Sequence, residues 1–240
     1  MSAPHPSTPD PRTREPMPRL VQPAGWRDIP IEPVDEPLVP VAGLGPRIAE
    51  DPRYFAMGLP GSLAGCWVRE GVAERLVRAA DSLPDGLMLL VWDGWRSIET
   101  QSALFESYVD DLAAQYPDLD RAELEQVARP YVTPPDPGHH APPPHLTGGA
   151  VDLTLATDDG TELDLGTGFD AFVPEAGAAA LEDIDTPARA HRRLLFHALT
   201  AQGFTAYVEE WWHFDFGDQF WAAVTGGTPR YGPAEDPSRE

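Results

Sequence analysis

Apolar and polar residues alternate along the chain in recognisable rhythms, and each rhythm predicts an element. In residues 71–83, Val72, Leu76, Ala79, Ala80 and Leu83 fall at helical spacing, and Pro84 stops the run. Residues 87–92 form a continuous apolar stretch that ends at Asp93-Gly94, a turn signal, and read as a buried strand. Residues 97–115 form a longer amphipathic helix with Ser97 as N-cap, and residues 120–128 a second one capped by Asp120. The prolines then change the texture. Pro134, Pro135, Pro137, Pro142, Pro143 and Pro144 exclude a helix over 131–144 and predict a stiff, extended loop that carries His139 and His140. Residues 150–155 alternate as a strand. Residues 186–202 form a helix capped by Thr186, with Pro187 at its first position and Gly203 at its end. Residues 207–216 read as one or two strands and 219–224 as a short closing helix. Several helices around a few sequential strands predict an α+β domain with a small sheet.

The termini do not share these rhythms. Residues 1–24 are rich in proline and charge and predict a disordered arm; residues 229–240 look similar and predict a flexible tail. The body, 25–228, fits one domain. No apolar run is long enough to span a membrane, and the N-terminus has no apolar stretch of the secretory kind, so a cytoplasmic location is the expectation. The net charge is −22, and all 17 basic residues are arginine. That balance disfavours nucleic acid and anionic membranes as partners. The single cysteine, Cys66, lies in an apolar stretch and reads as a core thiol.

Two segments carry candidate chemistry: His145-Leu146-Thr147-Gly148-Gly149-Ala150-Val151-Asp152 and Glu209-Glu210-Trp211-Trp212-His213. Asp152 lies on the strand face opposite Val151, Leu153 and Leu155, where a carboxylate is costly without a partner. A divalent cation supplies one. Gly148 and Gly149 permit a turn that folds His145 back toward Asp152. The plainer alternative is an aspartate that caps or pairs within the protein, beside a loop histidine. Glu210 and His213 are three apart, so a regular strand would point them to opposite faces; sharing a site requires an irregular backbone before His213. The alternative there is an aromatic core with a satisfied histidine. Together the segments offer two imidazoles, one carboxylate ligand and one spare carboxylate. Catalytic zinc takes three N/O ligands and leaves a fourth position for water, whose pKa it lowers toward about 7. A carboxylate off the metal can then move the proton.

The pattern His145-x-x-Gly148-x-Ala150-x-Asp152, followed by Glu210-x-x-His213, resembles the zinc D-alanyl-D-alanine dipeptidases, within the wider set of zinc D,D-peptidases and hedgehog-like domains. Trp92-Asp93-Gly94-Trp95-Arg96 and Leu165-Gly166-Thr167-Gly168-Phe169-Asp170 match further segments of that family. The resemblance covers roughly residues 50–225. It implies a hedgehog/D,D-peptidase-like fold with a mostly antiparallel sheet, and one Zn2+ held by His145, Asp152 and His213. It also implies Glu210 as general base, Arg96 as the group facing the oxyanion, and a small dipeptide as substrate. Asp170 and Trp212 are the residues expected to touch that substrate, and His139 and His140 are alternative ligands. Pro143 stands where the family often has serine, and Ser97 where it often has proline. A D,D- or L,D-carboxypeptidase acting on peptidoglycan peptides and a non-catalytic zinc-binding module are the rival readings of the same residues.

Overall fold

The computed structural model describes residues 9–135 and 141–239. Its centre is a five-stranded sheet in the order β2-β4-β5-β7-β6, formed by Ile48–Glu50, Leu87–Asp93, Ala150–Thr157, His213–Asp215 and Thr205–Ala206 respectively. The β2–β4 pair is parallel and the other three pairs are antiparallel. A separate two-stranded ribbon joins β1 (Leu38–Pro40) to β3 (Trp67–Arg69). The fold is α+β, as the hydrophobic pattern predicts, with the mostly antiparallel sheet that the family resemblance implies.

Two helices, α2 (Glu70–Asp81) and α5 (Pro187–Thr200), join the sheet in the main core. Leu76, Leu89, Leu153, Leu155, Leu195 and Leu199 are fully buried there. The strand period puts Val151, Leu153 and Leu155 on this side and leaves Asp152 for the other. A second, smaller core belongs to α3 (Ile98–Gln115) and α4 (Arg121–Ala128), where Phe105, Val109, Leu112 and Leu124 meet. The caps follow the sequence. Ser97 Oγ accepts from Thr100 N–H at 3.0 Å, Asp120 and Glu123 form a reciprocal capping box, and Thr186 Oγ1 accepts from Arg189 N–H. The turn α1 (Arg53–Ala56) and the closing helix α6 (Gln219–Thr225) complete the set. Among the described residues, no helix is long and apolar enough to cross a membrane.

Strand β4 carries one extra residue. Val91 pairs with Leu153, but Asp93, not Trp92, pairs with Asp152. This bulge brings two aspartates side by side at the end of the sheet.

Described parts of both terminal segments contact the body. In the N-terminal arm, Arg193 Nη1 donates to Arg14 O, His197 Nε2 lies 3.0 Å from Glu15 O, and Met17 is buried. In the C-terminal tail, Tyr231 is buried with its hydroxyl donating to Glu36, and Ala234 O accepts from the Trp95 indole. A few apolar anchors and backbone hydrogen bonds hold these segments, which composition alone does not register.

Candidate metal centre

Three elements deliver three donor atoms to one point. Asp152 projects from β5, and His213 opens β7 directly opposite it. His145 comes from the 3-10 turn Pro144–Thr147. That turn ends at Gly148, whose φ of 71° is left-handed and whose Cβ, if present, would meet Leu38 Cδ2 at 2.4 Å. Glycine is required there to fold His145 back toward β5. His145 Nε2 lies 3.1 Å from His213 Nδ1 and 3.3 Å from Asp152 Oδ2, and His213 Nδ1 lies 3.0 Å from Asp152 Oδ1. One ligand atom from each residue falls within 4.8 Å of the other two, and all three residues are buried.

Hydrogen bonds fix the outer nitrogens of both rings. His145 Nδ1 is 2.8 Å from Gly94 O, so it carries the proton and leaves the Nε2 lone pair facing inward. Gly94 must be glycine, since a Cβ would strike Trp67 O at 2.4 Å. His213 Nε2 is 3.0 Å from Asp215 Oδ1, which places that proton outward and the Nδ1 lone pair inward. Two lone pairs and a carboxylate therefore converge on one another. Burial opposes a charge on His213, but Asp215 and Asp152 outweigh it, so without a cation the ring favours a second proton at Nδ1, the position a bound cation would take. Lone pairs that face each other in a buried acidic setting fit a cation, and these outward hydrogen bonds are the kind that orient metal-binding histidines.

Around this point stand the remaining charges. Arg96 is held on all sides. Its Nε donates to Asp93 at 2.8 Å, Nη1 to Gln101 at 3.0 Å, and Nη2 to Asp152 at 3.0 Å, with the guanidinium 4.6 Å over the Tyr54 ring. Glu210 lies in the irregular stretch before β7, as its spacing from His213 requires, with Oε2 3.9 Å from His213 Nδ1. Burial pushes the Glu210 carboxyl up to about 8, against the pull of His213. Asp170 has a left-handed φ of 55° and accepts from the Tyr54 hydroxyl at 3.1 Å. Burial raises it to about 7, with Arg96 opposing. The Asp152 carboxyl is held below the usual range despite its burial, chiefly by His145 and His213.

Apart from Asp93, these side chains line one open cavity, whose wall also includes Trp26, Tyr131, Phe172 and Tyr207. Trp212, expected to touch substrate, is absent from its lining. It is buried against Phe169 and Trp211. The strand period explains the correction: with His213 facing the cavity, its neighbour faces the core. His139 and His140 lie outside the described residues. Tyr54, Asp93, Gln101 and Asp215 enter the site without having been singled out from sequence. For Asp93 a signal existed, because it stands three residues before Arg96 at the end of an apolar strand.

Sequence comparisons with known proteins identify the family. A family model described as D-ala-D-ala dipeptidase matches residues 37–226. A D-alanyl-D-alanine dipeptidase of Synechocystis sp. is 28% identical over 81% of this chain and 87% of its own length. One from Enterococcus faecium is 30% identical over 62% of this chain and 72% of its own. Among solved structures, a vancomycin resistance D,D-pentapeptidase in complex with Zn(II) is 18% identical over 69% of this chain and 83% of that one, with a TM-score of 0.41. The match covers most of the chain and contains every residue of the metal cluster, so the chain belongs to the D-ala-D-ala dipeptidase family.

Proposed function

We propose that this chain is a zinc-dependent dipeptidase that cleaves D-alanyl-D-alanine or a related small dipeptide. The observation that carries this reading is the convergence of the His145 Nε2 and His213 Nδ1 lone pairs on Asp152, with the Glu210 carboxyl beside them. The curated relatives from Synechocystis sp. and Enterococcus faecium, both D-alanyl-D-alanine dipeptidases, support it.

His145, Asp152 and His213 would hold the ion, and this set of two imidazoles and one carboxylate suits zinc. When bound, zinc supplies a Lewis acid that activates water at neutral pH. The chain's own groups do the rest. Glu210 Oε2, whose burial tunes it toward neutral pH, takes a proton from the attacking water and returns it to the leaving amine. The Arg96 guanidinium, clamped by Asp93 and Gln101, presents fixed positive charge to the developing oxyanion. Asp170, fixed by the Tyr54 hydroxyl, offers a carboxylate to the substrate's ammonium group. The buried walls exclude bulk water and strengthen each of these interactions.

The test is Glu210→Gln, assayed with zinc-loaded protein on a panel of DD, LD and LL dipeptides. The variant is expected to keep one zinc per chain by elemental analysis while turnover falls about a hundred- to ten-thousand-fold. Undiminished hydrolysis by the variant rejects the assignment of the base.

A further inference from the structure

The cavity has an outer end that the reaction above does not use. Its wall includes the 3-10 turn Trp26–Asp28, which precedes residue 37, where the family match begins. The turn is anchored by Gln219, whose side-chain amide donates to Arg27 O at 3.1 Å and Ile29 O at 2.6 Å. Trp26 stands edge-on to Phe220, Phe220 meets Tyr207, and Tyr207 meets the His213 ring, with centroid distances of 5.8, 5.5 and 5.6 Å. Arg27 therefore sits at the far end of a row of rings that starts at the metal cluster. Its guanidinium lies 4.1 Å from the centre of the Trp26 ring.

Among the described residues, the Arg27 side chain has no hydrogen-bond acceptor and no acidic partner. Other half-buried or buried arginines do better: Arg47, Arg69 and Arg192 each donate to backbone carbonyls. Burial lowers the Arg27 pKa, with Tyr207 opposing and Arg129 adding to the fall. Arg129, the C-cap of α4, adjoins the wall residues Pro130 and Tyr131 and likewise has no acidic partner among the described residues. Acids outnumber arginines 39 to 17 in this chain, yet none among the described residues pairs with Arg27. A half-buried guanidinium with unused donors on a cavity wall is complementary to an anion.

We propose that Arg27 forms an anion subsite that selects dipeptides whose C-terminal residue carries an acidic side chain. This rests on the dipeptidase reading and deepens it. Asp170 and Glu210 share the cavity with Arg27, which three rings in series, Tyr207, Phe220 and Trp26, separate from His213. The ammonium of a dipeptide belongs at the inner end. Its α-carboxylate lies only three bonds from the scissile carbon, a short reach beside the three-ring series that leads from His213 to Arg27. A carboxylate that reaches past Tyr207 comes from a side chain, whose methylenes the Trp26 and Tyr131 rings would cover.

The experiment compares D-Ala-D-Glu with its neutral isostere D-Ala-D-Gln, using zinc-loaded wild type, Arg27→Met and Arg27→Lys. In wild type the acidic substrate is expected to show a kcat/KM about tenfold higher, the scale of one charge-assisted hydrogen bond. Arg27→Met brings the ratio to one, and Arg27→Lys restores part of it. Calorimetric binding of D-glutamate and D-glutamine to the same proteins reads the subsite without turnover, and the same ordering is expected. Equal treatment of the two substrates by an active wild type overturns the subsite and leaves the dipeptidase reading standing. Arg27-dependent binding of D-glutamate by a protein that hydrolyses no dipeptide supports the anion subsite and overturns the dipeptidase reading instead.

Discussion

At the inner end of the cavity the charged side chains answer one another; at the outer end Arg27 has no acid partner among the described residues. The inner end is built on strands β4, β5 and β7, paired in register, with Asp93, Asp152 and His213 brought together by the ladder itself. The outer end is built on a turn near the N-terminus and on the segment after α4, held in place by Gln219 and a row of aromatic rings. The inner end lies wholly within the part of the chain that matches the family, whereas Trp26 and Arg27 lie before it. Bond cleavage demands donor atoms placed to within a fraction of an ångström, which a sheet provides. Choice among substrates tolerates a looser wall.

Four measurements would break or sharpen this contrast. The largest effect is expected from His213→Ala, which removes an inward lone pair and leaves Asp152 and Asp215 without their shared partner. Zinc content by elemental analysis should fall to background, and turnover with it. Next comes Asp215→Asn, which touches no donor atom but withdraws the carboxylate that directs the His213 proton outward. Metal affinity, measured by competition with a chelator, should weaken about ten- to a hundredfold. A wild-type affinity in that variant would mean the inner end is less tightly organised than its hydrogen bonds indicate.

The pH profile gives a smaller but signed effect. Glu210 acts as a base only when ionised, so activity is present above its pKa and lost as pH falls through it. Burial holds that carboxyl up to about 8 in the metal-free protein, and a bound cation draws it down. The acid limb of kcat/KM should therefore lie below 8. The smallest catalytic effect is expected from Trp212→Phe. Because Trp212 faces the core, KM should barely move, while thermal unfolding should show a stability loss of about 1–3 kcal/mol. A large change in KM would return Trp212 to the cavity wall.

Much of this organisation is legible in the chain because its causes are local. Ser97, Asp120 and Thr186 cap helices through hydrogen bonds that span three residues, and the sequence places all three helix starts within a residue. His145, Asp152 and His213 come together in the sequence through the family resemblance, because the glycines and apolar alternation around Asp152 leave a paired aspartate beside a loop histidine equally open. The strands β1, β2 and β3 escape sequence reading. Each is three residues long, and pairs such as Leu38 with Arg69 depend on chain far away. Arg27 escapes for the same reason, since nothing near it in sequence announces Gln219 or Phe220. In the terminal segments composition averages over the few buried residues, Met17 and Tyr231 among them.

The extra residue in β4 works as a phase shifter. Up to Val91 the strand runs in step with β5, and from Asp93 onward it is one position late. Gly94, whose carbonyl orients His145, and Arg96, which grips Asp152, both lie downstream of that slip. Removing one residue at Trp92 would leave hydropathy almost untouched, yet it would swing the Gly94 carbonyl and the Arg96 side chain out of alignment with their partners. In this strand the count of residues matters as much as their chemistry, and a change of length is the mutation the centre can least absorb.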